Sequence, residues 1–158
     1  MSATTISALA FVATADTAVV ATIQGDLLAG WTFADNAGSG TPDGDVPAPP
    51  TVAGTYTYVS TDGGVTGTGS LAGVGGSGSP TNGSTLTTST FSAAAGDNLE
   101  FFFNYVTSDG AGFADYSWAR LLDDTGAQEA LLFTARTTAG GDTVPGFSMP
   151  TPEATLTP

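Results

Sequence analysis

The sequence predicts an all-β chain: an antiparallel β-sandwich, expected to be of jelly-roll type, with room for completion by a strand from another subunit. Three observations predict it. No stretch sustains the apolar spacing of a helix, whereas several short runs alternate from one face to the other. Turn signals such as Asp62-Gly63-Gly64, Gly96-Asp97-Asn98 and Gly140-Gly141-Asp142 separate those runs at spacings of roughly 8 to 15 residues, as in sandwiches. The chain is 41% hydrophobic, so it has the apolar material for a core even though only 11% of it is charged.

Taken in order, Thr4 to Ile23 is small and apolar on both of its alternating rows. That suits a strand buried on two sides. Its alanines equally allow a short helix, and the run ALAFVATA has the look of a signal-peptide core, although no cationic residue precedes it. Residues 1–24 are therefore set apart as an apolar N-terminal segment and a candidate donor strand, with 25–158 as a single domain of sandwich type. Leu27 to Phe33 reads as a strand. Residues 35–51, DNAGSGTPDGDVPAPPT, read as a loop, because Pro and Gly exclude regular structure. Thr55 to Ser60 is a short strand with Tyr56 and Tyr58 on one side. Residues 67–83 form a second long loop, rich in Gly and Ser, of the kind that is functional or mobile.

Ser84 to Ser92 alternates again, and Leu99 to Val106 carries an aromatic face of Leu99, Phe101, Phe103 and Tyr105. Tyr116 to Asp123 and Gln128 to Arg136 form a hairpin around Asp124-Thr125-Gly126-Ala127. A loop centred on Thr125-Gly126 places Trp118 opposite Phe133, Arg120 opposite Leu131 and Asp115 opposite Arg136. The first would be a core aromatic pair and the last an opposite-charge pair. Arg120, on the face of Trp118 and Leu122, is expected to point inward and to need an acidic partner, Glu100 or Glu129. Pro145, Pro150 and Pro152 mark an irregular tail.

The charge balance narrows the function. Fifteen acidic residues against two basic ones give a net charge of −13. Nucleic acids and anionic membranes are poor partners for such a chain. No apolar run reaches the ~20 residues that span a bilayer. Without Cys there is no disulfide framework, and without His there is neither the usual general base nor most zinc sites. A surface kept wet by Thr, Ser, Asn and Asp, with no Lys at all, fits an extracellular or cell-surface protein.

Four sets of residues could carry chemistry. Gly73-Val74-Gly75-Gly76-Ser77-Gly78 fits the spacing G-x-G-x-x-G, but it lacks the strand before and the helix after that phosphate binding requires. Glu100, Glu129 and Glu153 are the only glutamates; a glycosidase pair of Glu100 and Glu129 is the one enzymatic arrangement on offer, and the ion pair with Arg120 is preferred to it. No enzyme is expected. Asp43 and Asp45, or Asp109 and Asp115, with the latter two preferred, offer hard oxygen donors on Gly-rich backbone, so calcium is the one metal they could hold; Asp-Gly is also the commonest turn dipeptide, and no cofactor is expected. Trp31, Tyr56 and Tyr58 would stack on sugars if exposed, and would otherwise fill the inner face of the second sheet. Asn82-Gly83-Ser84 fits a glycosylation sequon of the kind Gly/Ser loops give by chance.

The stretch FNYVTSDGAGFADYSWARLLDDTGAQEALLFTARTT, followed by DTVPGFSMPTPEATLTP and preceded by YVSTDGGVTG and GVGGSGSPTNGS, resembles a family of secreted bacterial proteins. Those proteins carry a PEP-CTERM sorting signal and are processed at the envelope by an exosortase. The resemblance covers about residues 55–158. It implies an exported domain without assigned catalytic residues, in organisms that make exopolysaccharide. The sorting signal is absent here, and family members continue past Ala154-Thr155-Leu156 into further strands, so an open sheet edge is expected. The function expected is a non-enzymatic structural protein that self-associates at the cell surface as a filament or biofilm-matrix subunit, with copies of itself as partner. The alternative is an extracellular polysaccharide-binding or adhesion module, with or without calcium.

Overall fold

The structure is a computed structural model that describes residues 4–14, 18–22, 32–34, 37–42, 56–75, 82–93, 99, 101–106, 115–136 and 143–156. Over these residues the chain is all-β, with eleven strands and no helix: β1 (Thr4–Thr14), β2 (Ala18–Thr22), β3 (Thr32–Ala34), β4 (Ala37–Gly40), β5 (Tyr56–Ser60), β6 (Val65–Thr66), β7 (Asn82–Thr87), β8 (Phe91–Ala93), β9 (Phe102–Tyr105), β10 (Tyr116–Asp123) and β11 (Gln128–Arg136). Every pairing is antiparallel. A seven-stranded sheet runs β11-β10-β1-β7-β3, with β6 on β7 and β8 on β1; a four-stranded sheet runs β4-β5-β2-β9.

The N-terminal segment is strand, and it is central in both sheets. β1 lies between β10 and β7, with Val12 opposite Trp118 on one side and Thr85 on the other. β2 lies between β5 and β9, with Val20 opposite Tyr58 and Asn104. Strands rich in Val, Ile and Thr suit these interior positions, where backbone is paired on both edges.

The two sheets share one cluster. Val59 from the four-stranded sheet joins Leu86, Ala119, Phe133 and Ala135 from the seven-stranded one, all of them buried. The Phe103 ring crosses to Phe133 at a centroid distance of 4.1 Å, tilted by 49°. A second cluster lies on the opposite face of β10–β11. There Tyr116, Trp118, Leu122 and Leu131 pack beneath Leu71, Val74 and Met149. The hairpin is therefore buried on both faces.

This double burial corrects the expected register. Arg120 does stand opposite Leu131, but Trp118 faces Thr134, Phe133 faces Ala119, and Arg136 faces Tyr116 rather than Asp115. A bulge between Ala119 and Arg120 inserts one extra residue on β11 and moves the open end by one. Trp118 and Phe133 consequently serve different clusters. The closed end is a tight turn in which Gly126 takes φ +83°. Asp123 Oδ1 accepts from Thr125 N–H (2.9 Å), Thr125 Oγ1 (2.7 Å) and Ala127 N–H (2.8 Å).

Those bonds, the Thr125 hydroxyl foremost and then the Ala127 amide, hold the Asp123 carboxyl below the usual aspartate range. A carboxylate with a lowered folded pKa adds stability above its unfolded pKa, about 3.9, and loses it as pH falls through the folded value. Urea midpoints measured from pH 5 down to pH 2.5 are expected to fall more steeply for the native chain than for Asp123→Asn. Parallel curves would show that the turn does not depend on this charge.

One strand lies where a loop was expected. Ala37–Gly40, inside 35–51, pairs with β5 as an edge strand. Its Gly and Ser carry little strand preference of their own, and the tyrosines of β5 supply the packing. A Cβ on Gly40 would lie 2.7 Å from Tyr56 Cζ, and one on Gly38 would lie 3.0 Å from Tyr58 Oη. The rings lean across the glycines, the device known as aromatic rescue.

Candidate functional site

Three surfaces around the tail, the β9 edge and the tyrosine face gather the residues with functional potential. The first is built by the tail, residues 143–156, which runs along the outer edge of β11. Arg136 N–H donates to Thr143 O (3.0 Å), Gly146 N–H to Thr134 O (2.9 Å) and Glu153 N–H to Leu131 O (2.7 Å). The Glu153 carboxylate then accepts from Leu131 N–H at 3.1 Å. This segment covers backbone that would otherwise offer itself to another strand.

Arg136 ties the tail to the rest. It is 3% exposed, and its Nη1 donates to Gly75 O and, at 3.5 Å, to Phe147 O. Its guanidinium lies 5.9 Å from the Tyr116 ring centre. Gly75 N–H donates to Ser148 O at 2.7 Å. The described part of the Gly-rich 67–83 stretch is thus fastened to the sheet, with Trp118 Nε1 donating to Gly69 O (2.9 Å) and Leu71 N–H donating to Tyr116 Oη (3.3 Å).

Between the tail and the edge strand β9 opens a cleft of about 400 Å³, lined by Phe101, Phe102, Phe103, Asn104, Tyr105, Val144, Pro145 and Leu156. A dry cavity of roughly 150 Å³ holds a benzene ring, so this cleft has room for a large apolar side chain and more. Phe147, two residues beyond Pro145, is 64% exposed.

The third surface is the outer face of the four-stranded sheet. Val59 points to the core, so Tyr56 and Tyr58 point away from it, half-buried, with centroids 6.5 Å apart in an edge-to-face arrangement. Register places Asn104 in the row of Tyr58 across β2. The tyrosines do not fill an inner face, contrary to one of the two sequence expectations.

The remaining expected sites are distributed as follows. Arg120 is half-buried and covers Trp118, its guanidinium carbon 4.7 Å from the ring centre. Burial lowers its pKa, and its Nε is buried without a hydrogen bond among the described residues. Glu129 is exposed on β11 and is not its ion-pair partner; the cation is accommodated by an aromatic face instead. Glu153 is exposed as well, engaged with β11 rather than with another glutamate. Asp115 is 6% exposed, and its carbonyl accepts from Tyr105 Oη at 3.3 Å. Asp43, Asp45, Asp109, Glu100 and Trp31 lie outside the described residues. Among the described residues no three acidic side chains converge into a metal-sized group, and no helix is long and apolar enough to cross a membrane.

No family model, curated protein or solved structure matches the chain. The sequence marks an irregular tail at Pro145, Pro150 and Pro152, but its backbone bonds to β11 are not legible there, because Pro-rich segments show no periodicity.

Proposed function

We propose that this chain is a non-enzymatic extracellular structural protein of β-sandwich type that self-associates at the cell surface, as a filament or matrix subunit, by exchanging its N-terminal strand between copies. The observation that carries the reading is the position of β1: an apolar strand seated in the middle of a sheet whose two neighbours, β10 and β7, come from distant parts of the chain. Such a strand changes places with its counterpart in a second copy, and every native pair is remade across the interface. The Lys-free, Cys-free, Thr- and Gly-rich composition and the resemblance to envelope-processed proteins support the location.

Deleting residues 1 to 23 would remove the centre of both sheets, so a cross-link is the better test. Ala13 stands opposite Ser117, and the native chain has no Cys. Directly opposed residues in an antiparallel pair lie within disulfide reach. Ala13→Cys protein co-assembled with Ser117→Cys protein is expected to give intermolecular disulfides on a non-reducing gel. If the single variants never cross-link, while a chain carrying both cysteines closes on itself, strand exchange is wrong.

One observation favours a second reading, a neutral-polysaccharide module. Tyr56 and Tyr58 place two half-buried rings side by side on an outer sheet face. Sedimentation with an insoluble neutral glycan should then be lost in Tyr56→Ala/Tyr58→Ala; undiminished binding would dismiss the tyrosine face.

A further inference from the structure

We infer that residues 143–156 are an autoinhibitory strap: seated on the outer edge of β11 they keep it from pairing with a second copy of the chain, and lifting them makes copies associate through that edge. The inference concerns β11 and does not rest on exchange of β1.

The strap occupies the backbone groups by which a strand would be added. Leu131 gives both of its groups to Glu153, its N–H to the carboxylate at 3.1 Å and its carbonyl to the Glu153 N–H at 2.7 Å. Thr134 O accepts from Gly146 N–H, and Arg136 N–H donates to Thr143 O. The edge is thereby closed at residues 131, 134 and 136. Pro145, Pro150 and Pro152 carry no N–H, so the strap is itself a poor template for a further strand.

The seat is shaped for this segment. Val144, Ala154 and Leu156 pack against the cluster on one face of the hairpin and Met149 against the cluster on the other, so the strap straddles the edge. Gly146 marks its closest approach. A Cβ there would lie 2.9 Å from Ala135 C and 3.0 Å from Arg136 N, both backbone atoms of β11, and 2.5 Å from Met149 Sδ. The sulfur can swing aside, but the strand backbone cannot. Gly146 is not one of the glycines with positive φ, so this position uses the absence of a side chain rather than conformational freedom.

A second copy is the occupant shut out. β11 has 9 residues, with Leu131, Leu132 and Phe133 buried at its middle. Uncovered, it is a long apolar edge of the kind that pairs with another strand, and two antiparallel β11 edges meet about a two-fold axis.

Three variants of the full chain test this. Gly146→Ala lifts the strap at its tightest point. Glu153→Ala removes the acceptor of Leu131 N–H at an exposed position, and Glu153→Gln keeps an oxygen there. Sedimentation velocity over a concentration series reads association, and hydrogen exchange reads the Leu131 and Arg136 amides, with exchange across β1 as the check on folding. Gly146→Ala is expected to associate about tenfold or more tightly than the native chain, in line with one or two lost hydrogen bonds. Glu153→Ala should show a smaller gain, and Glu153→Gln none. Both amides should exchange faster in dilute Gly146→Ala and regain protection as it associates, which loss of structure alone would not produce. Faster exchange at Leu131 with no gain in association overturns the inhibitory role, and association without regained protection overturns β11 as the edge. Amides as protected in Gly146→Ala as in the native chain overturn the close seat. Should Gly146→Ala not fold, Glu153→Ala against Glu153→Gln decides on the same readouts.

Discussion

Phe133→Ala is expected to lower stability by about 3–5 kcal/mol, the range for truncating a fully buried aromatic. For a chain of 158 residues that corresponds to a melting temperature lower by roughly 10 °C or more. Phe133 is 1% exposed and touches the Phe103 ring, so its removal empties the place where the two sheets meet. The cavity cannot collapse easily, because the neighbours Ala119 and Ala135 are too short to fill it. Against a typical net stability of about 5–15 kcal/mol, the loss is a large fraction. Thermal and urea unfolding would measure it. A melting point within about 2 °C of the native chain would show that Phe133 is not the bridge between the sheets.

Arg136→Ala is expected to cost about 3 kcal/mol and to loosen two segments at once. Gly75 O and Phe147 O would lose a charged donor, and hydrogen bonds to charged groups contribute about 1.5–3 kcal/mol each. The stacking over Tyr116 would go with them. Chymotrypsin reads the local effect, since Leu71 and Phe147 flank the released backbone. Cleavage at both is expected to accelerate by an order of magnitude or more, well beyond what Arg136→Lys allows. Lysine keeps the charge but presents a point rather than a fork. Equal cleavage rates in the Ala and Lys variants would mean that the charge alone contributes nothing and that only the fork holds the two segments.

The strands that announced themselves did so through alternation and turn chemistry. Tyr116–Asp123 and Gln128–Arg136 lie where the residues around Asp124-Thr125-Gly126-Ala127 require them. Their pairing was harder to read, because alternation tells facing only when one face is wet. Here Tyr116 and Trp118 are buried on one face and Ala119 and Phe133 on the other, so sequence contrast could not reveal the bulge at Ala119/Arg120. β4 was hidden for a different reason: Ala37–Gly40 is held by rings that belong to β5, a dependence no local propensity expresses. Of the candidate sites, the aromatic content of the β9 stretch was plain in Phe101-Phe102-Phe103, but its cleft was not. The other wall comes from Val144, Pro145 and Leu156, brought alongside by backbone bonds to β11.

The seat of β1 has a kinetic consequence. β1 takes as one neighbour residues 116 to 123, which lie far along the chain from it. Until they exist, an apolar strand has no permanent place, and closing so long a loop makes folding slow. A dilute chain waits for its own β10. Under the proposed exchange a crowded one would meet the β10 of a neighbour first, and the competition between the two would be settled by local concentration rather than by any difference in the bonds formed. The same distant pairing that makes the fold late to complete would then make its outcome depend on how densely the protein is delivered.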